Sequence, residues 1–203
     1  MLVRSLTAAC LLSLTPVAAG QTLPGYTAGT GTQLSSVVID FAESGGPAYA
    51  FGYRHDGTAT GLDALLGLDA AGPLTVFTTE FSFGTAVDGF AFGEQSQNVG
   101  FDAVTGRNWS YWIDGGRADT DFDGTFDADE AVLAGAYVAS PVGAGGRLLS
   151  DGSVDGYIVN VSSFNSQGNP ATATRPAAVP EPAAAVLLAA GGLTLLRRRR
   201  DAA

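Results

Sequence analysis

Lysine is absent from this chain of 203 residues, cysteine occurs once, at Cys10, and histidine once, at His55. Each shortage excludes something. One cysteine forms no disulfide within the chain and no thiolate metal site, so something else has to stabilise the fold. His55 stands between Arg54 and Asp56. Neighbours in a strand point to opposite faces, which is wrong for a His–Asp relay, and the expected role of His55 is to cap a strand end. With lysine missing, Gln21–Arg175 carries 18 acids against 5 arginines, a net charge near −13. Such a surface repels phosphates, so nucleic acid is excluded as a partner and divalent cations are favoured. No Gly-x-Ser-x-Gly, P-loop, His-Glu-x-x-His or dinucleotide fingerprint occurs.

Two uncharged apolar stretches stand near the chain ends. Met1-Leu-Val-Arg4 is a short positive region, Leu6–Val17 an apolar one, and Ala18-Ala19-Gly20 a small-residue cleavage site before Gln21. That is the pattern of a secretory signal peptide over residues 1–20. Cys10 lies inside it, and Thr7-Ala8-Ala9-Cys10 lacks the preceding leucine of a lipoprotein cysteine. At the other end, Pro180-Glu181-Pro182 precedes the apolar run Ala183–Leu196 and then Arg197-Arg198-Arg199-Arg200. Fourteen helical residues reach ~21 Å, short of the ~20 residues that span a bilayer core. Gly191-Gly192 weakens the run further, and four arginines stay cytoplasmic by the positive-inside rule. This tail resembles the PEP-CTERM sorting signal of bacterial proteins. The resemblance implies an exosortase-type protease as partner and transient insertion in the inner membrane with the C-terminus cytoplasmic. It also implies delivery to the cell surface or an extracellular polysaccharide matrix. The alternative is a tail anchor that is never processed. Gln167–Val179, built of small residues and proline, reads as a flexible linker.

The body between, residues 21–166, is long enough for one domain with a real core. Strands are expected at Ser36–Phe41, Ala48–His55, Leu74–Phe81, Ala86–Phe92, Trp109–Ile113 and Tyr157–Val161. Tyr49, Phe51 and Tyr53 share one face of the second. Thr60 is placed to cap a helix through Ala70 that Gly72-Pro73 stops, and a second helix is expected over Asp129–Val138. A hairpin, a helix and then more strands predicts an α+β fold, a β-grasp-like mixed sheet with one packed helix, with a β-sandwich as the alternative. Three landmarks, Leu62-Asp63-Ala64-Leu65-Leu66, Phe83–Phe90 and Trp109-Ser-Tyr-Trp-Ile-Asp-Gly115, resemble those of the transcobalamin C-terminal-like domain. That resemblance implies a β-grasp core and, in some members, a corrinoid ligand.

The sharpest internal motif runs from Asp119 to Glu130 and resembles the twelve-residue EF-hand or dockerin calcium loop. Asp119, Asp121 and Asp123 stand at positions 1, 3 and 5, and Gly124 at the sharp turn. Thr125 offers its carbonyl at position 7, Asp127 acts through water at 9, and Glu130 supplies the closing bidentate carboxylate. A hard cation needs six to eight oxygens, and alternate residues of a tight turn supply them. The entering helix of a full hand is missing from the sequence, so a structural clamp is expected rather than a sensor. Calcium is the one cofactor expected. Tyr53, Trp109, Tyr111 and Trp112 are candidates for an aromatic face that binds a glycan or a corrinoid. Trp109 and Trp112 fall on opposite faces of one strand, so one of them is expected near the surface. Together these readings favour a non-enzymatic surface or matrix protein. A small-ligand module comes second and a paired-carboxylate hydrolase a distant third.

Overall fold

The computed structural model describes residues 22–161, apart from residues 83, 103–105 and 136. The signal-peptide, linker and sorting-signal expectations lie outside the described residues. The strands are β1 (Thr22–Gly29), β2 (Gln33–Asp40), β3 (Ala48–His55), β4 (Thr75–Phe81), β5 (Gly84–Phe92), β6 (Gln95–Asn98), β7 (Arg107–Asp114), β8 (Arg117–Ala118), β9 (Val138–Ala139), β10 (Arg147–Leu148) and β11 (Val154–Val161). One α-helix, α1, spans Gly61–Ala71. The fold is α+β.

The main sheet has the order β1-β3-β2-β11-β7-β9. β2 and β3 form an antiparallel hairpin, and β11 lies parallel to β2 and antiparallel to β7. A hairpin, a crossing helix, and a last strand slotted parallel to the first hairpin strand make the β-grasp arrangement. The smaller sheet β4-β5-β6 packs against the main sheet through Phe90, which is fully buried against Trp109 and Tyr157.

The local chemistry explains the elements. In β2, Val37 and Ile39 enter the core shared with α1, and Phe51 enters it from β3, with Tyr49 and Tyr53 packed partly buried against it. Thr60 caps α1: its hydroxyl accepts the Asp63 amide, and the Asp63 carboxylate accepts the Thr60 amide in return. Ala64, Leu65 and Leu68 then face the sheet. Gly67 is a packing requirement, because a Cβ there would lie 2.6 Å from the Tyr53 ring.

Two expectations are corrected. The second helix over Asp129–Val138 is absent; only a three-residue 3-10 turn, Ala128–Glu130, forms. Ala131 is extended and bridges back to Arg117, and Leu133 is 84% exposed, so this segment has no apolar stripe to bury as a helix. Neither tryptophan is near the surface, since both are 7% exposed. The opposite face of the main sheet is covered too: Val38 and Ile158 are buried there with Trp112.

Candidate metal centre

The acidic loop is closed before any ion is considered. Arg117 and Ala131 pair across its neck, and the Val132 amide donates to the Gly116 carbonyl at 2.9 Å. Below the neck, β8 pairs with β10, and the Asp119 amide donates to the Gly146 carbonyl at 2.9 Å. The Arg117 guanidinium reaches into the loop and donates to the Phe126 carbonyl at 2.6 Å. The loop therefore hangs from a fixed base as a ring with its ends tied.

Within the ring, Asp119, Asp121 and Asp123 each bring a carboxylate oxygen within 4.8 Å of the other two. Asp119 is the buried member. Its two oxygens accept the amides of Asp123 (3.1 Å) and Gly124 (3.0 Å), which curls the chain around it. Gly124, at φ +83°, and Phe122, at φ +62°, supply the left-handed turns that the curl requires. Asp123 accepts the Thr125 amide and hydroxyl on one oxygen, at 2.7 and 2.6 Å. The Thr125 hydroxyl and amide together hold the Asp123 carboxyl below its ordinary value. Asp121 goes the other way. The Asp123 amide pulls its pKa down, but partial desolvation, the Asp123 and Glu130 charges and the Asp119 contact outweigh it, and the net direction is up.

The structure brings together three of the six expected donors. Glu130 is turned onto the backbone: one oxygen accepts the Thr120 amide at 2.5 Å and the other the Asp127 amide at 3.0 Å. Burial works to raise its pKa, but these amides and the Thr120 hydroxyl win and lower it. Asp127 sits at the head of the 3-10 turn and Thr125 serves Asp123. Three clustered aspartates are hard oxygen donors, which suit calcium or magnesium and supply no redox chemistry.

Sequence reasoning missed the residue that holds the base. Arg147 is fully buried. Its Nε donates to Asp155 at 3.1 Å, one terminal nitrogen to the Arg117 and Leu148 carbonyls, and the other to the Asp114 carbonyl. Asp155 also accepts the Tyr111 hydroxyl at 2.6 Å. Burial pushes Asp155 up from the usual carboxylate range, while Arg147 and Tyr111 pull it back. This buried pair joins the neck of the loop to β11.

The aromatic candidates separate. Trp109 and Tyr111 line a cleft of about 240 Å³ between β5 and the β7–β11 pair, with Tyr157. Tyr53 lies against α1 and stacks on His55 at 5.9 Å, and Trp112 is on the opposite face of the sheet, so neither belongs to that cleft. His55 is buried at the end of β3, with Nε2 2.9 Å from the Ser35 hydroxyl. That hydroxyl also lies 3.0 Å from the Ser150 carbonyl.

No family model, no curated protein and no solved structure matches the chain. No helix among the described residues is long and apolar enough to cross a membrane.

Proposed function

We propose that the chain is an exported, surface-sorted bacterial protein whose body is a non-enzymatic β-grasp domain braced by one calcium ion. The three converging carboxylates of Asp119, Asp121 and Asp123, in a loop tied at its neck, carry the calcium half of this reading. Calcium fits because the donors are all oxygen and the turn follows the spacing that calcium loops use. In this reading Glu130 leaves the Thr120 and Asp127 groups it accepts from, and Thr125 and Asp127 move in with it to complete the site. The brace has a reason: with no cysteine after residue 10, no disulfide can tie the exported domain together.

The export half rests on the sequence of residues 1–20 and on Pro180-Glu181-Pro182 with Arg197–Arg200. An exosortase-type protease is the partner, and the cell surface or its polysaccharide matrix is the destination. The Trp109–Tyr111 cleft supports a second reading, in which the domain is also a small-ligand module.

Thermal melting with calcium and with chelator tests the brace. An ion that binds only the folded state stabilises by about 2.7 kcal/mol at a free concentration ~100 times its dissociation constant. Equal melting temperatures, with no heat on titration, exclude calcium. Intact mass of the surface-released protein tests the export half. The expected species starts near Gln21 and ends at the Pro-Glu-Pro region, and retention of Arg197–Arg200 refutes the sorting reading.

A further inference from the structure

We propose that β4 is an interaction edge, which pairs antiparallel with β4 of a second copy of this chain. It stands independently of the calcium and export readings.

An outer strand carries backbone groups that its own sheet does not pair, and proteins blunt such edges. Most outer strands here are blunted. β6 has four residues, and β8, β9 and β10 have two each. β1 carries Pro24 and an irregular register after it. β4 is different. It runs for seven residues, Thr75–Phe81, and all but Glu80 are β-branched or aromatic. Among the described residues only β5 pairs with it. Its register shift leaves Asp88 of β5 as the extra residue, so β4 itself is not bulged. Thr78–Phe81 is exposed throughout. The one charge, Glu80, is turned back onto β5, where both oxygens accept the Thr85 hydroxyl at 2.9 Å.

One side chain shows which backbone groups face outward. The Val76 amide donates to the Asp69 carboxylate of α1 at 3.0 Å, on the side away from β5. Alternate residues of an antiparallel strand direct N–H and C=O to the same side, so Thr78 and Glu80 point outward as Val76 does. Asp69 closes the first of these positions to a partner and leaves the other two. That sets the register. With a two-fold axis at Thr79, Thr78 of one copy lies opposite Glu80 of the other, and each such pair exchanges both of its bonds. A register centred one residue earlier would need the Val76 amide that Asp69 holds.

The side chains agree with that register. Phe77, Thr79 and Phe81 share the face turned away from Phe90. Phe77 then meets Phe81 of the second copy in the closely spaced pairs, where aromatic contacts across strands stabilise. Phe81 is 48% exposed in one copy, and this contact covers it. Glu80 meets threonine rather than a second glutamate. Charge opposes the pairing at long range, because each chain carries −10. Salt is therefore expected to tighten the dimer by screening. Two strands of this length bury less than the ~1,200 Å² of a stable complex, so a dissociation constant of about 0.1 mM is expected.

Sedimentation equilibrium of the intact protein, up to about 1 mM and at low and high salt, tests the pairing. A monomer–dimer equilibrium is expected, several-fold tighter in high salt. Thr78→Pro removes an outward N–H and leaves β4 on β5, so circular dichroism is expected to stay unchanged while association weakens at least about tenfold. The register has its own test. In a Cys10→Ser background, Thr79→Cys puts the sole thiol on the two-fold axis, and Thr75→Cys puts it at the start of the strand. With oxidised glutathione as oxidant, the first is expected to form covalent dimer at least about tenfold faster than the second. A monomer at about 1 mM in high salt overturns the assignment. So does association that Thr78→Pro leaves untouched, growth beyond the dimer, or equal cross-linking from the two cysteine positions.

Discussion

Between Gln33 and Ala71, the side chains of two strands and one helix converge on a dry core: Val37, Ile39, Phe51, Ala64, Leu65 and Leu68 are all at most 2% exposed. Between Asp119 and Glu130, Asp119 is the one buried residue. The first region is held by removing apolar surface from water, which needs no partner and no particular solution condition beyond water itself. The second is held by amides folded onto carboxylates, and it gathers negative charge as it folds. One region makes its own stability, and the other gathers charge. They meet at Arg147, whose guanidinium bonds to Asp155 in the core and to the Asp114, Arg117 and Leu148 carbonyls at the base of the loop.

High pH is expected to break the core region most completely. Burial pushes Tyr111 and Tyr157 well above the ordinary phenol value, with Asp155 adding to the rise, and burial raises Tyr137 too. A phenol whose folded pKa is raised contributes stability that is fully present below its unfolded value near ~10 and is lost as pH climbs through the folded value. The folded protein is therefore expected to ionise fewer of its six tyrosines near pH ~10 than the denatured chain does. The remainder should ionise together with loss of the near-ultraviolet dichroism. If all six titrate with the native signal intact, these rings are not buried as described.

Arg147→Ala is expected to be the largest single-residue effect, because it damages both regions. Removing one partner of a buried ion pair costs about 3–5 kcal/mol, since the other charge is left unmatched. Chemical denaturation measured with calcium and with chelator separates the two consequences. The core loses stability under both conditions, and the calcium increment shrinks because the neck of the loop is no longer held. An unchanged increment would mean that the loop stands on β8 alone.

How much of this could be read from the sequence follows the same division. The β2–β3 hairpin and α1 were legible, because Tyr49, Phe51 and Tyr53 alternate, and Thr60 stands before Leu62, Leu65 and Leu66 at helical spacing with Gly72-Pro73 beyond. β1 was not: Pro24 and Gly25 interrupt it, and it forms as an edge strand parallel to β3 with an irregular register after Pro24. β6 is polar throughout and gains its place by pairing with β5. The three clustered aspartates were legible from spacing alone. Glu130 was not, because its amide bonds form only once the loop has closed. The Arg147–Asp155 pair joins β10 to β11, and no periodicity links the two residues. The tryptophans misled because one covered sheet face was assumed where both are covered.

The smallest effect is expected where the core region depends on one local device. The Thr60 hydroxyl accepts the Asp63 amide at 3.1 Å, and the Asp63 carboxylate returns the bond to the Thr60 amide at 2.8 Å. Replacing a capping threonine with alanine leaves an orphan amide in the first turn and costs about 1 kcal/mol. The Thr60 backbone bridges to Leu148 at the base of the loop, but its hydroxyl bonds to Asp63 within the first turn of α1, so Thr60→Ala should lower the denaturation midpoint by the same amount with calcium and with chelator. Thr60→Ser keeps the oxygen and should restore most of the loss. A calcium-dependent difference at this position would mean that the helix and the loop are coupled. The division between a self-sufficient core and a loop proposed to depend on an ion would then have to be redrawn with α1 on the side of the loop.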